Sequence, residues 1–146
     1  MITVSRTFAV TPPQPVVLDY LKDFAHAEQW DPGTQSCTRL DDGPIGVGTR
    51  WHNRSKVAGR TTELTYQLTE VGADRLVFVG TNDSATSTDT ITVVPRGAGS
   101  EITYEAVIEM HGVAKLADPL TKILFEKIAN DTVRDMTAVL DGLPSA

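Results

Sequence analysis

The residue best suited by type and position to proton chemistry is Asp89. It lies in the stretch Ala85–Thr92, where Thr86, Thr88 and Thr90 share one phase and Ser87 and Asp89 the other. Ile91 and Val93 continue the second phase, so a strand that buries them carries the carboxyl inward too. A carboxyl removed from water has a raised pKa and can serve as a general acid or base. A second placement fits the same pattern, in which the strand begins exposed and only its later half is buried. If Asp89 is the catalytic group, the phenols of Tyr66 and Tyr104 and an arginine such as Arg54 or Arg60 are the expected company.

The remaining reactive side chains form no recognisable constellation. His26, His52 and His111 fall on different elements without H-x-x-x-H spacing, so no metal site is expected. His52 shares its phase with Arg50, Arg54 and Lys56, which marks a solvated outer face. His111 sits at a strand-to-helix junction, exposed to water or on the rim of the interior. His26 is close to Trp30 and within reach of an opposite rim. Cys37 is the only cysteine; it excludes an internal disulfide and reads as a packing residue. There is no G-x-S-x-G elbow. Gly43, Gly46 and Gly48 have the wrong spacing for a dinucleotide loop, so no cofactor is expected.

What positions Asp89 is legible in the alternation around it. Ile2–Val10 sets Ile2, Val4, Phe8 and Val10 against Thr3, Ser5 and Thr7, a strand with one buried face. Thr11-Pro12-Pro13 ends it. Val16, Val17, Tyr20, Leu21 and Phe24 then recur at helical spacing, and a second short helix or turn spans 25–30, closed by Asp31-Pro32-Gly33. Strands are expected at 34–41, 49–57, 61–71, 75–81, 85–95 and 100–110, with a glycine-rich connection at 42–48. Pro119 and Gly142 bracket a C-terminal helix of about 23 residues, roughly 34 Å long, with Asp118 as its N-cap and Gly142 able to adopt the left-handed exit. Phe125, Ala129, Val133, Met136 and Leu140 form one stripe, expected to pack firmly on a sheet. Leu116, Leu120, Ile123 and Leu124 form another, facing a cavity, a loop or a partner subunit, so a homodimer is one option.

This order implies a single α+β domain, 1–146, built on an antiparallel sheet. Seven strands at about 4.8 Å spacing make a sheet roughly 34 Å wide, against a helix about 10–12 Å across. The sheet must therefore curl around the helix, and small inward residues such as Gly80 and Ala106 suggest an interior left partly empty. Trp30, Trp51, Tyr66, Phe78, Tyr104, Ile108, Leu120 and Leu124 are the expected ligand-lining residues.

The order of elements, "AHAEQWDPG" around Trp30, "GPIGVGTRW" at 43–51 and "GVAKLADPLTKILFE" at 112–126 together resemble the polyketide cyclase/dehydrase and lipid-transport members of the START-like (SRPBCC) superfamily. The resemblance implies a helix-grip fold: a seven-stranded curved antiparallel sheet wrapped around a long C-terminal helix, with two short helices after the first strand. It also implies a cavity between sheet and helix for a hydrophobic or aromatic small molecule of lipid, polyketide or quinone type. Both carriers and cofactor-free cyclases or dehydratases are implied as functions.

Composition is compatible with either. The apolar fraction is 40% and the net charge −6, with no basic stripe, so nucleic acid is not an expected partner. No segment approaches a membrane span and the N-terminus lacks a signal-type apolar region, so the expected location is the cytoplasm.

Overall fold

The computed structural model describes residues 1–57, 59–111 and 119–144, the first two of the last segment by backbone only. The elements run β1 (Ile2–Val10), α1 (Gln14–Leu21), a 3-10 turn (Phe24–His26), α2 (Ala27–Trp30), β2 (Thr34–Arg39), β3 (Arg50–Val57), β4 (Arg60–Val71), β5 (Arg75–Thr81), β6 (Ala85–Arg96), β7 (Gly99–Met110) and α3 (Pro119–Asp141). The seven strands form one antiparallel sheet in the order β1-β7-β6-β5-β4-β3-β2. Hairpins make every neighbour except one. The long return from β1 to β2 lets β7 come back beside β1, so the two chain halves meet there. Register shifts at Thr34/Ser36 and Leu68/Glu70 are bulges, which add local bend to the sheet.

The α+β, helix-grip expectation is borne out, with strand boundaries within a residue or two. The sequence-derived face of α3 needs correction. Met136 and Leu140 are fully buried, but Phe125, Ala129 and Val133 on the same stripe roof a cavity rather than pack tightly on the sheet. Ile123, on the opposite stripe, is 64% exposed. Asp118, Leu116 and the Leu120 side chain lie outside the described residues. At its far end α3 closes with Gly142 N–H to Val139 O and Leu143 N–H to Leu140 O, without a left-handed glycine. The Asp141 carboxylate accepts from the Thr11 N–H (2.9 Å) and hydroxyl (3.2 Å), tying this end to the exit of β1.

The dimensional mismatch between sheet and helix is resolved in two ways. Over β3, β4 and β5 the inner face is filled by aromatic side chains around Phe24. Its ring lies 4.4 Å from Tyr66, 4.7 Å from Phe78, 5.8 Å from Trp30 and 6.2 Å from Trp51. Asp23 organises this corner: its carboxylate caps the 3-10 turn by accepting from Ala25 N–H and also accepts from the buried Trp51 indole at 3.1 Å. Gly80 belongs to the filled part, contrary to the expectation of empty space. A Cβ there would lie 2.6 Å from the Tyr66 ring, which stacks across the strand pair onto the glycine backbone. α3 packs on β1 and α1 on β6 and β7, and between α3 and the inner face of β1, β7 and β6 the interior stays open.

Candidate functional site

Period-two alternation places the polar groups of this open region. Ile91 and Val93 are fully buried on β6, so Asp89 and Ser87 project from the same inner face. Ile102 is fully buried on β7, which puts Tyr104, Ala106 and Ile108 on that face as well. Register does the rest: Asp89 sits opposite Ala106 and Ser87 opposite Ile108. Tyr104, two positions along β7 from Ala106, is the diagonal neighbour of Asp89 and reaches it with its phenol. Because Ala106 is small, nothing covers the carboxyl from directly across the ladder.

The resulting cavity has a volume of about 110 Å³. Its floor is Val4, Arg6 and Phe8 of β1, Tyr104, Ala106 and Ile108 of β7, and Ser87 and Asp89 of β6. Phe125, Ile128, Ala129, Thr132 and Val133 of α3 form its roof, and Asp31, just after α2, lies at one end. Trp30 meets Tyr104 edge-on at 5.9 Å, so the aromatic core backs the cavity at the Tyr104 position.

Asp89 is the polar centre. Its two carboxyl oxygens accept from Tyr104 Oη at 2.6 Å and from Ser87 Oγ at 2.8 Å. Burial raises its pKa to about 6, with the Asp31 charge adding to the rise; the Tyr104 and Ser87 hydrogen bonds oppose it. At neutral pH the group is therefore mostly an anion with reserve acceptor capacity. Burial, followed by the neighbouring Asp89 charge, drives the Tyr104 and Tyr66 phenols well above their ordinary value, so both keep their protons. Asp31 is also raised, first by burial, despite accepting from Thr34 Oγ1 (2.8 Å) and Gly33 N–H (3.3 Å).

Among the described residues Arg6 is the one cation in the lining, and it is engaged elsewhere. Its guanidinium donates to Asn130 Oδ1 (2.9 Å), Ser5 O (2.8 Å), Glu126 Oε1 (3.2 Å) and Glu126 O (3.2 Å). These bonds clamp α3 to β1 and leave its charge paired with Glu126.

Of the sequence-derived lining residues, Tyr104 and Ile108 border the cavity. Trp30, Trp51, Tyr66 and Phe78 sit in the aromatic core beside it. Leu124 is half-buried outside the lining, and Leu120 is described by backbone only. Arg54 and Arg60 are exposed and outside the lining. His52 pairs with Glu63 (3.0 Å) on the outer face, as its phase suggested. His111 accepts or donates with Thr86 Oγ1 at 3.0 Å on the exposed side of β6. His26 stacks on Tyr20 at 4.1 Å in an outer groove between α1 and the C-terminus rather than on the cavity rim. Cys37 is buried and its thiol is pushed up to about 12, mainly by burial, consistent with a packing role.

Arg6 and Asp31 were not anticipated. Arg6 does leave a signal, an arginine in the inward phase between Val4 and Phe8; Asp31 is masked by the Asp-Pro-Gly turn pattern.

A curved antiparallel sheet gripping a C-terminal helix over an internal cavity defines the helix-grip class of small-molecule-binding folds. The chain belongs to the polyketide cyclase/dehydrase and lipid transport family, whose model matches residues 1–145. Among solved structures it is similar to a START superfamily protein from Mycobacterium smegmatis, at 14% identity and TM-score 0.82, covering 97% of this chain and 99% of that one. It is likewise similar to a STAR-related lipid transfer protein fragment from Xanthomonas axonopodis, at 14% identity, TM-score 0.76 and coverage of 94% and 85%. A third is the Zhui aromatase/cyclase from Streptomyces sp. R1128, at 18% identity, TM-score 0.69 and coverage of 94% and 90%. A search of curated proteins finds no match. No helix among the described residues is long and apolar enough to cross a membrane.

Proposed function

We propose that the protein binds a small, largely apolar molecule in the cavity between β1, β7, β6 and α3. The observation that carries this reading is the pairing of apolar walls with a single convergent polar group, Asp89 held by Tyr104 and Ser87. Family membership and the lipid transfer relative support it. Size narrows the guest. A volume of about 110 Å³ is below the roughly 150 Å³ of an engineered cavity that admits benzene. It is also below the roughly 300–1,000 Å³ of ordinary ligand sites. A short aliphatic group fits as the cavity stands, whereas a lipid, polyketide or quinone requires α3 to lift from β1 against the Arg6 clamp.

Mass spectrometry of small molecules released by denaturing the purified native protein is the direct test, paired with thermal-shift screening of the released compounds. The expected result is a bound species that raises the melting temperature of the parent and not of Ala106→Leu, whose larger side chain fills the cavity. Equal shifts in both proteins would place binding elsewhere.

A second reading, cofactor-free cyclisation or dehydration by general acid–base catalysis, is favoured by one observation: Asp89 has a pKa of about 6 in contact with a cavity. The aromatase/cyclase relative supports it. Under this reading Asp89 moves the proton and Tyr104 orients it. Asp89→Asn then abolishes turnover of a polyketide-type substrate while preserving the far-ultraviolet dichroism of the parent; unimpaired turnover removes Asp89 from the mechanism.

A further inference from the structure

Resting on the cavity reading above, we infer that the guest is a protonated amine on a compact apolar body, its ammonium group received by Asp89 and selected over neutral and anionic molecules of the same shape. The charge inventory of the cavity carries this. Asp31 and Asp89 both line it, on different elements, and among the described residues neither has a cationic partner. The only lining cation among the described residues, Arg6, makes four hydrogen bonds to Ser5, Asn130 and Glu126, the last neutralising it. From α3 the lining side chains are uncharged, and Tyr104 and Tyr66 stay protonated beside Asp89. Asp135, on α3 outside the lining, adds a further negative charge acting on Asp31.

An anionic guest would bring further negative charge into a confined apolar space beside two carboxyls. A neutral guest would leave both uncompensated. An ammonium group offers the missing charge together with hydrogen-bond donors. Each oxygen of Asp89 already accepts one hydroxyl, and a carboxylate has about four acceptor positions, so about two remain for N–H donors. Bringing a cation to a buried carboxylate usually fails to repay the desolvation of both ions. Here folding has already desolvated the carboxylates, so the guest loses only its own hydration, and the pairing is a charge-assisted bond of the stronger kind.

Isobutylamine, isobutanol and isobutyrate have nearly one shape and three charges, and each is titrated into the full chain by amide-resolved nuclear magnetic resonance. At pH 7.5 isobutylamine is expected to bind about tenfold or more tighter than isobutanol, with isobutyrate weakest. Shifts should centre on residues 87–89 and 104–106. Asp89 has a pKa of about 6, so the amine preference should shrink toward unity at pH 5, where the carboxyl takes up a proton. Asp89→Asn should shrink it at pH 7.5 as well. Ala106→Leu should remove binding of all three. Equal affinity for amine and alcohol at pH 7.5, a preference unchanged in Asp89→Asn, or tighter binding of isobutyrate overturns the inference and leaves the cavity reading standing. Binding of none of the three, or binding unaffected by Ala106→Leu, overturns both.

Discussion

Asp89→Asn should stabilise the protein at alkaline pH and do progressively less as the pH falls. The folded state raises the Asp89 pKa from 3.8 to about 6, so it binds this proton more tightly than the unfolded chain does. A raised carboxyl weakens the fold wherever it is ionised: stability falls as pH rises from the unfolded value through the folded one, then levels off. The difference corresponds to about 3 kcal/mol at pH 8 and falls below about 1 kcal/mol by pH 4. Asparagine keeps the shape and never ionises. Its carbonyl can accept from one of the two hydroxyls that Asp89 now engages, while its amide donates to the other, so the neutral network survives. Urea unfolding followed by tryptophan fluorescence suits the measurement, because Trp30 and Trp51 are both buried. Asp31 shifts in the same direction and its charge adds to the Asp89 rise, so the difference curve reports Asp89 together with its coupling to Asp31. A variant less stable than the parent at pH 8, or a gain that stays constant from pH 4 to pH 8, would refute the placement of an ionised carboxyl in an apolar interior.

Arg6→Ala should cost about 1–2 kcal/mol by removing the β1–α3 clamp and should speed amide exchange in α3 across 125–133. Exchange rates matching the parent would mean that apolar contacts alone hold the roof. Gly80→Ala should lower the thermal midpoint by several degrees, about 1–3 kcal/mol, because its Cβ would enter the Tyr66 ring at 2.6 Å and displace it. An unchanged or higher midpoint would show that the ring does not rest on Gly80.

The strands were legible because burying one face of a sheet writes period two into the chain. β6 and β7 show it best, and the same alternation offered an inward Asp89 beside Ile91 and Val93 as one of two placements, the one the structure adopts. Phase carries no information about what stands opposite. Trp51 and Phe78 share the inward face with Tyr104, yet they meet Phe24 from the 3-10 turn and fill space, while Tyr104 reaches Asp89, which lies opposite small Ala106, and borders a void. Likewise, the stripe Phe125, Ala129 and Val133 was visible on α3, but not whether it would press on the sheet or span a gap.

The chain by itself determined the order of elements, the antiparallel sheet and the long C-terminal helix, since each follows from local periodicity and turn chemistry; for Asp89 it offered two placements, and the structure selects the buried one. Tertiary structure alone decided the rest. It set which end of the sheet the aromatic cluster fills, tied Arg6 to Glu126 across 120 positions, and brought Asp31 to the same cavity as Asp89. The physical reason is that a void and an uncompensated charge belong to no residue; they are what remains between elements after packing is complete, and only the three-dimensional arrangement specifies that remainder.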